Sequence, residues 1–311
     1  MRRLTAWVAA LAVAVLSAAC ERTPETATVA PPAAPVVVYV AFEDDAAVRR
    51  QLERYTDATG VPVIVRRGVA TDIVDDIIEN TVIPAADILM TQSVTGVWRA
   101  AEEGALRPVA SELVVARTPS WTRDADKLWA ATGFTAAAII TGAKNEVDDA
   151  TTFAVLAEPR FKGELCLSSS DLQINRALIV MLIDELGVRP AEIVVRGWLQ
   201  NLAVPVFTSE EQVLEAIHAG TCNIGIASAS VAAQSGLLVH VPQPAAVEID
   251  GIGIGRHAHN PDGALALVEW LIAELPASTF DSIDTAGQKN VGVIVWYQRD
   301  AALLAERARY R

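Results

Sequence analysis

Clustered positive charge is missing from this 311-residue chain. After Arg3 no group of lysines and arginines forms, and 25 Lys and Arg stand against 38 Asp and Glu, a formal net charge of -13. Holding a nucleic-acid backbone needs such clusters, so a nucleic-acid partner is excluded. Catalytic signatures are missing as well: there is no Ser-centred elbow, no His-Glu-x-x-His, no kinase motif set and no Lys-bearing phosphate loop, so neither an enzyme nor a cofactor is expected. Gly251-Ile-Gly253-Ile-Gly255 alternates glycines along one strand without the spacing or the following helix of a dinucleotide fingerprint. His257 and His259, beside Asn260-Pro261, read as a loop rather than a metal site. Past the N-terminal segment no apolar run reaches the length of a membrane helix, and no repeat of solenoid period is visible. Cysteine is scarce, with only three in the chain.

What is present is apolar. Hydrophobic residues make up 52% of the chain, enough for one large core or two medium ones, and two lobes are expected. Met1-Arg2-Arg3, the apolar run Leu4 to Leu16 and Ser17-Ala18-Ala19-Cys20 together read as a signal segment over 1–19. Two processing routes fit: cleavage after Ala19, giving a soluble secreted protein, or lipidation of Cys20, anchoring the chain to a membrane. The lipoprotein route is favoured although Leu16 stands four residues before the cysteine rather than three. Glu21 to Pro35, rich in Pro, Thr and Ala, then serves as a tether, so that 20–35 links the anchor to a folded body. The body is placed in the periplasm or on the cell surface. In that oxidising compartment Cys166 and Cys222 are expected to form a disulfide, with two buried free thiols as the alternative.

Along the body, strand and helix alternate. Val36 to Val40 reads as a buried first strand, followed by a helix with Val48, Leu52 and Tyr55 on one face, capped by Asp44 or Asp45. Val61 to Val65 and Ala86 to Met90 read as the next strands, the latter ending at Thr91-Gln92-Ser93. This alternation predicts an α/β fold with a largely parallel sheet. Leu128 to Ile140 is long, apolar and free of proline, and is expected to pass from one lobe to the other. The expected boundaries are a first lobe over 36–135, a second over 136–240, and a return to the first over 241–311 that includes the C-terminal helices. Two strand-to-loop stretches, Cys166 to Asn175 and Gly220 to Val231, stand out because small polar residues follow each strand. Loops of this kind can offer amides and hydroxyls to a ligand.

The run Leu156-Ala157-Glu158-Pro159-Arg160-Phe161-Lys162-Gly163, followed by Leu165-Cys166-Leu167-Ser168-Ser169, resembles the ferric-iron-binding branch of type 2 periplasmic solute-binding proteins. Gly220 to Ala227, Val38 to Ala41, Val61 to Gly68, Asp87 to Met90 and His259 to Ala264 extend the resemblance over most of residues 36 to 275. It implies a two-lobed clamp, each lobe a mixed, mainly parallel sheet flanked by helices, the lobes joined by hinge strands and serving an ABC importer. The departures are informative. Ser230 and Val231 stand where such relatives have adjacent tyrosines, and Ile174 stands where some have a third. Glu43-Asp44 replaces a His-Tyr pair, and Ser168, Phe134 and Phe42 occupy basic positions. Ferric iron needs several fixed anionic oxygens, so bare iron is disfavoured and no metal is expected.

The resulting expectation is a monomeric lipoprotein that captures a small organic solute in the interlobe cleft and docks to an importer permease. Phe42, Phe134, Ile174 and Val231 would supply apolar surface. Thr91, Gln92, Ser168, Ser169, Ser170, Asn175, Ser228 and Ser230 would orient the solute, and Glu43 and Asp44 would pair with an ammonium or with hydroxyls. The alternatives are ferric-iron binding through a rearranged ligand set, and a ligand sensor without transport.

Overall fold

A computed structural model describes residues 33–42, 46–142, 151–276, 279 and 292–311. The first lobe alternates as its hydrophobic periods dictate: β1 (Val36–Ala41), α1 (Ala46–Thr59), β2 (Val63–Arg67), α2 (Ala70–Ile78), β3 (Ile88–Thr91), α3 (Val94–Glu102), β4 (Leu106–Arg107) and α4 (Glu112–Arg117). β1 is buried along its whole length because it pairs in parallel with β2 on one edge and β3 on the other. Val48, Leu52 and Tyr55 form the buried stripe of α1. The hydroxyl of Ser93 caps α3 by accepting from the Thr95 amide at 3.3 Å.

One strand then serves both lobes. β5 (Trp129–Thr141) pairs over its first part, through Ala136, with β9 (Val247–Gly255) and over its last part, from Ala137, with the second-lobe strand β7 (Ile224–Ser228). The handover follows from length: thirteen residues without proline reach past the edge of one sheet and into the next. The second lobe adds β6 (Leu165–Cys166), α5 (Gln173–Leu186), α6 (Val188–Gln200), α7 (Glu210–His218), β7, α8 (Ala229–Ala232) and β8 (Leu238–His240). Ser209 and Gln212 form a reciprocal capping box at the start of α7. β9 then returns to pair with β3, β4 and β5. The continuous strand order is β2-β1-β3-β9-β5-β7-β6.

Several expectations change. The α/β, two-lobed, mixed architecture holds, but "mainly parallel" does not: β1 with β2 and β3, and β6 with β7, are parallel, whereas every pairing made by β5 or β9 is antiparallel. Residues 238–240 pair with the second-lobe end of β5. Between α6 and α7, Phe207 makes an isolated bridge to Ser168. The C-terminal segment is divided. α9 (Pro261–Ala273) packs on the first lobe, while α10 (Gly292–Trp296) touches both α3 and α5, and α11 (Gln298–Ala308) packs on α5 and α6 of the second. Ala301, Leu304, Ala305 and Tyr310 are buried there with Leu178 and Val195, so apolar burial fastens the chain end to the second lobe. The alternating glycines of β9 have a steric cause: a Cβ on Gly251 would lie 2.3 Å from Val97, and one on Gly255 would lie 2.1 Å from the Ala86 carbonyl oxygen.

Candidate functional site

A cavity of about 560 Å³ is walled by the first lobe on one side and by α5 and α11 on the other. The first lobe contributes an apolar wall of Phe42, Val69 and Val74 and a polar edge of Thr91, Gln92, Ser93, Thr95 and Arg99. The second contributes Gln173, Arg176 and Gln298. The wall is positioned by strand ends: the Gln92 amide donates to the Ala41 carbonyl at 3.2 Å, holding the ends of β1 and β3 side by side. The Thr91 hydroxyl donates to the Ser93 carbonyl at 2.6 Å and turns the chain into α3.

The two arginines are lightly committed. Arg99 pairs with Asp75, with both side chains near half exposure, and Arg176 meets Asp171 at 3.3 Å. Ion pairs this exposed contribute little, so each guanidinium can turn to a ligand at small cost. Thr95 Oγ1 and Gln298 Nε2 are buried with no hydrogen-bond partner among the described residues. The lining therefore offers donors, two positive charges and an apolar wall.

Of the expected site residues, Phe42, Thr91 and Gln92 line this cavity. Glu43 and Asp44 lie outside the described residues. The second-lobe set is committed elsewhere. Ser168 is fully buried; Asn175 Nδ2 donates to its hydroxyl at 2.8 Å, to its carbonyl at 3.2 Å and to the Ser169 carbonyl at 2.9 Å, and the Tyr310 hydroxyl donates to the Ser168 carbonyl at 2.8 Å. Ser169 accepts from the Asp171 amide at 3.1 Å, and Ser170 donates to the Tyr310 carbonyl at 2.6 Å. These side chains fasten the C-terminus and shape the loop after β6, and none lines the cavity.

Ile174 is buried core, Val231 packs around Val213 and Ile217, and Phe134 meets Trp121 edge-on at 5.8 Å. The amide and hydroxyl of Ser228 are both bonded to Glu210, whose pKa burial raises and those two bonds lower in part. Ser230 is exposed and shares a 2.8 Å hydrogen bond with Thr135 of β5. Hydrogen-bond partners and packing neighbours, which a linear pattern does not display, commit these residues elsewhere, and none of them lines the cavity. Arg99, Arg176 and Gln298 carry no site signal in the sequence, because each sits on the polar face of a helix, which reads as solvated surface. Cys166 and Cys222 are joined in a buried disulfide, closing the strand before one loop onto the turn before the other.

Beneath Ser93, the hinge strand β9 carries Glu248, opposite Thr135, and Asp250, opposite Gly133. Glu248 is 4% exposed, and only the Ser93 hydroxyl and the amides of Ile249 and Val94 come near enough to favour its charged form. Burial pushes its pKa up to about 8; the Ser93 hydroxyl and the amides of Ile249 and Val94 offset this in part, and Asp250 adds to the rise. Asp250 is less enclosed but is also pushed up by burial, to about 7. No group of three or more His, Cys, Asp or Glu that could hold a metal occurs among the described residues.

Two α/β lobes that share antiparallel strands and flank a cavity with an apolar wall and a polar edge have the build of a clamp for a small solute. The chain belongs to the family of bacterial extracellular solute-binding proteins, whose model matches residues 36–274. It is 27% identical over 247 residues to iron uptake protein A1 of Synechocystis sp., covering 73% of this chain and 68% of that protein. A Trichodesmium protein solved in complex with iron and citrate ligands is similar at TM-score 0.73 and 25% identity, covering 89% of this chain and 100% of that one. The apo ferric ion-binding protein A of Pasteurella haemolytica shares the fold at TM-score 0.79 and 19% identity, covering 89% of this chain and 98% of that one. The resemblance to the ferric-iron-binding branch therefore holds. No helix among the described residues is long and apolar enough to cross a membrane.

Proposed function

We propose that this chain captures ferric iron as a complex with a small polycarboxylate and hands it to an ABC-type importer permease. The observation that carries this reading is that Arg99 and Arg176 line one cavity from opposite lobes. Ferric iron needs several hard anionic oxygens, and none of the cavity's described lining residues is acidic or a tyrosine. A chelator supplies those oxygens itself, and its outer carboxylates match guanidinium forks. Phe42, Val69 and Val74 suit its carbon skeleton. The relatives named for iron uptake, and the one solved with iron and citrate, support the same choice. The expectation of a metal-free organic solute is thus replaced by an organic ligand that carries the metal.

The shared strands β5 and β9 provide the hinge on which the lobes close over the complex. Lipidation at Cys20 would hold the body at the membrane, in reach of the permease. Calorimetric titration with ferric citrate, citrate alone and a panel of metal-free amino acids and polyols tests the reading. Binding of ferric citrate that weakens about tenfold in Arg176→Gln is expected, from loss of a charge-assisted hydrogen bond. Binding of a metal-free solute with indifference to ferric citrate would overturn it.

A further inference from the structure

A second cavity, of about 490 Å³, opens on the first lobe and shares no lining residue with the interlobe cavity. It is lined by Trp98 of α3, Trp129 at the start of β5, and Ser120, Trp121, Arg123 and Asp124 from the segment between α4 and β5. That segment is fixed in place. One carboxylate oxygen of Asp124 accepts from the amides of Asp126 at 2.9 Å and Leu128 at 3.1 Å, the Asp124 amide donates to the Trp129 carbonyl at 3.0 Å, and Arg123 bridges to Ala130. The Trp121–Phe134 contact secures the other side.

Within this frame two donors have nothing to donate to. Trp129 is 2% exposed, yet its Nε1 has no hydrogen-bond partner among the described residues, and neither has the buried Nε of Arg123. Indole and guanidinium nitrogens only donate, so whatever enters must bring acceptor oxygens. Buried donors without acceptors are costly and therefore uncommon. The charges of Arg123 and Asp124 offset each other, so the lining favours neither a bare anion nor a bare cation. The half-buried indoles of Trp98 and Trp121 supply flat, electron-rich faces that suit the polarised C–H groups of a saturated ring.

Oxygen acceptors and hydroxyl donors on a neutral, C–H-rich ring are the chemistry of a sugar. We propose that this cavity is a saccharide-binding site, independent of the cargo held between the lobes.

The test is a titration of the ¹⁵N-labelled protein with glucose, galactose and N-acetylglucosamine, following the indole N–H signals, with benzoate as a rival probe. A saturable shift of the Trp129 indole signal with at least one sugar is expected. Arg123→Gln should weaken that binding about tenfold while leaving the thermal melt and ferric citrate binding unchanged. No response to any of the three sugars, a response to benzoate alone, or equal sugar affinity in Arg123→Gln would overturn the proposal.

Discussion

Replacing Glu248 by glutamine isolates the energetic cost of a carboxyl group sealed into the hinge strand. The carboxyl group is buried, and burial raises its pKa from 4.5 to about 8 although the Ser93 hydroxyl and the amides of Ile249 and Val94 favour the charged form. The folded state therefore keeps a proton that the unfolded chain releases. Below pH 4.5 the carboxyl is neutral in both states, and its full contribution to stability is present. As pH rises through the folded-state value that contribution is lost, because ionisation favours the unfolded chain. At about 1.4 kcal/mol per pKa unit, the loss is on the order of 5 kcal/mol. Glu248→Gln cannot ionise and carries no such dependence. Urea unfolding of both proteins from acid to mildly alkaline pH should give a stability difference that shifts in favour of the variant between pH 4.5 and about 8, then levels off. A difference that stays flat across this range, or moves in favour of the wild type, would refute the argument.

Asn175→Ala should cost about 2–3 kcal/mol, since it strips donors from the buried Ser168 hydroxyl and from the Ser169 carbonyl; chemical denaturation measures this, and solute affinity should stay put because the side chain does not line the cavity. The Cys166→Ala/Cys222→Ala double variant should lose up to about 4 kcal/mol, since the bond joins residues 56 apart in sequence. A thermal melt unchanged from the oxidised wild type would contradict that estimate. Arg99→Gln should weaken ferric citrate binding as Arg176→Gln does, which equilibrium dialysis with radioactive iron would detect.

The parts of this fold that could be read from the chain were those set by local pattern. The period of Val48, Leu52 and Tyr55, the buried run of β1 and the unbroken apolar stretch of β5 each declare their own partner face. The disulfide followed from compartment and count. The site was less legible. Ser168, Ser170 and Asn175 have the composition of ligand loops, but the same groups can equally satisfy buried backbone, and the docking of Tyr310 from more than a hundred residues away decides between the two. The cavity's second wall depends on α11 crossing to the second lobe, a consequence of which apolar stripe it covers and not of its own sequence period. Arg99 and Arg176 became informative only when the two lobes brought them to one cavity.

The most direct measurement is a crystal structure of the protein soaked with ferric citrate, with data collected on both sides of the iron absorption edge. The account predicts an anomalous peak between the lobes, enclosed by the carboxylates of its chelator, with Arg99 and Arg176 turned onto the outer oxygens. An interlobe cavity without iron, or iron held there by side chains alone with no chelator present, would contradict it.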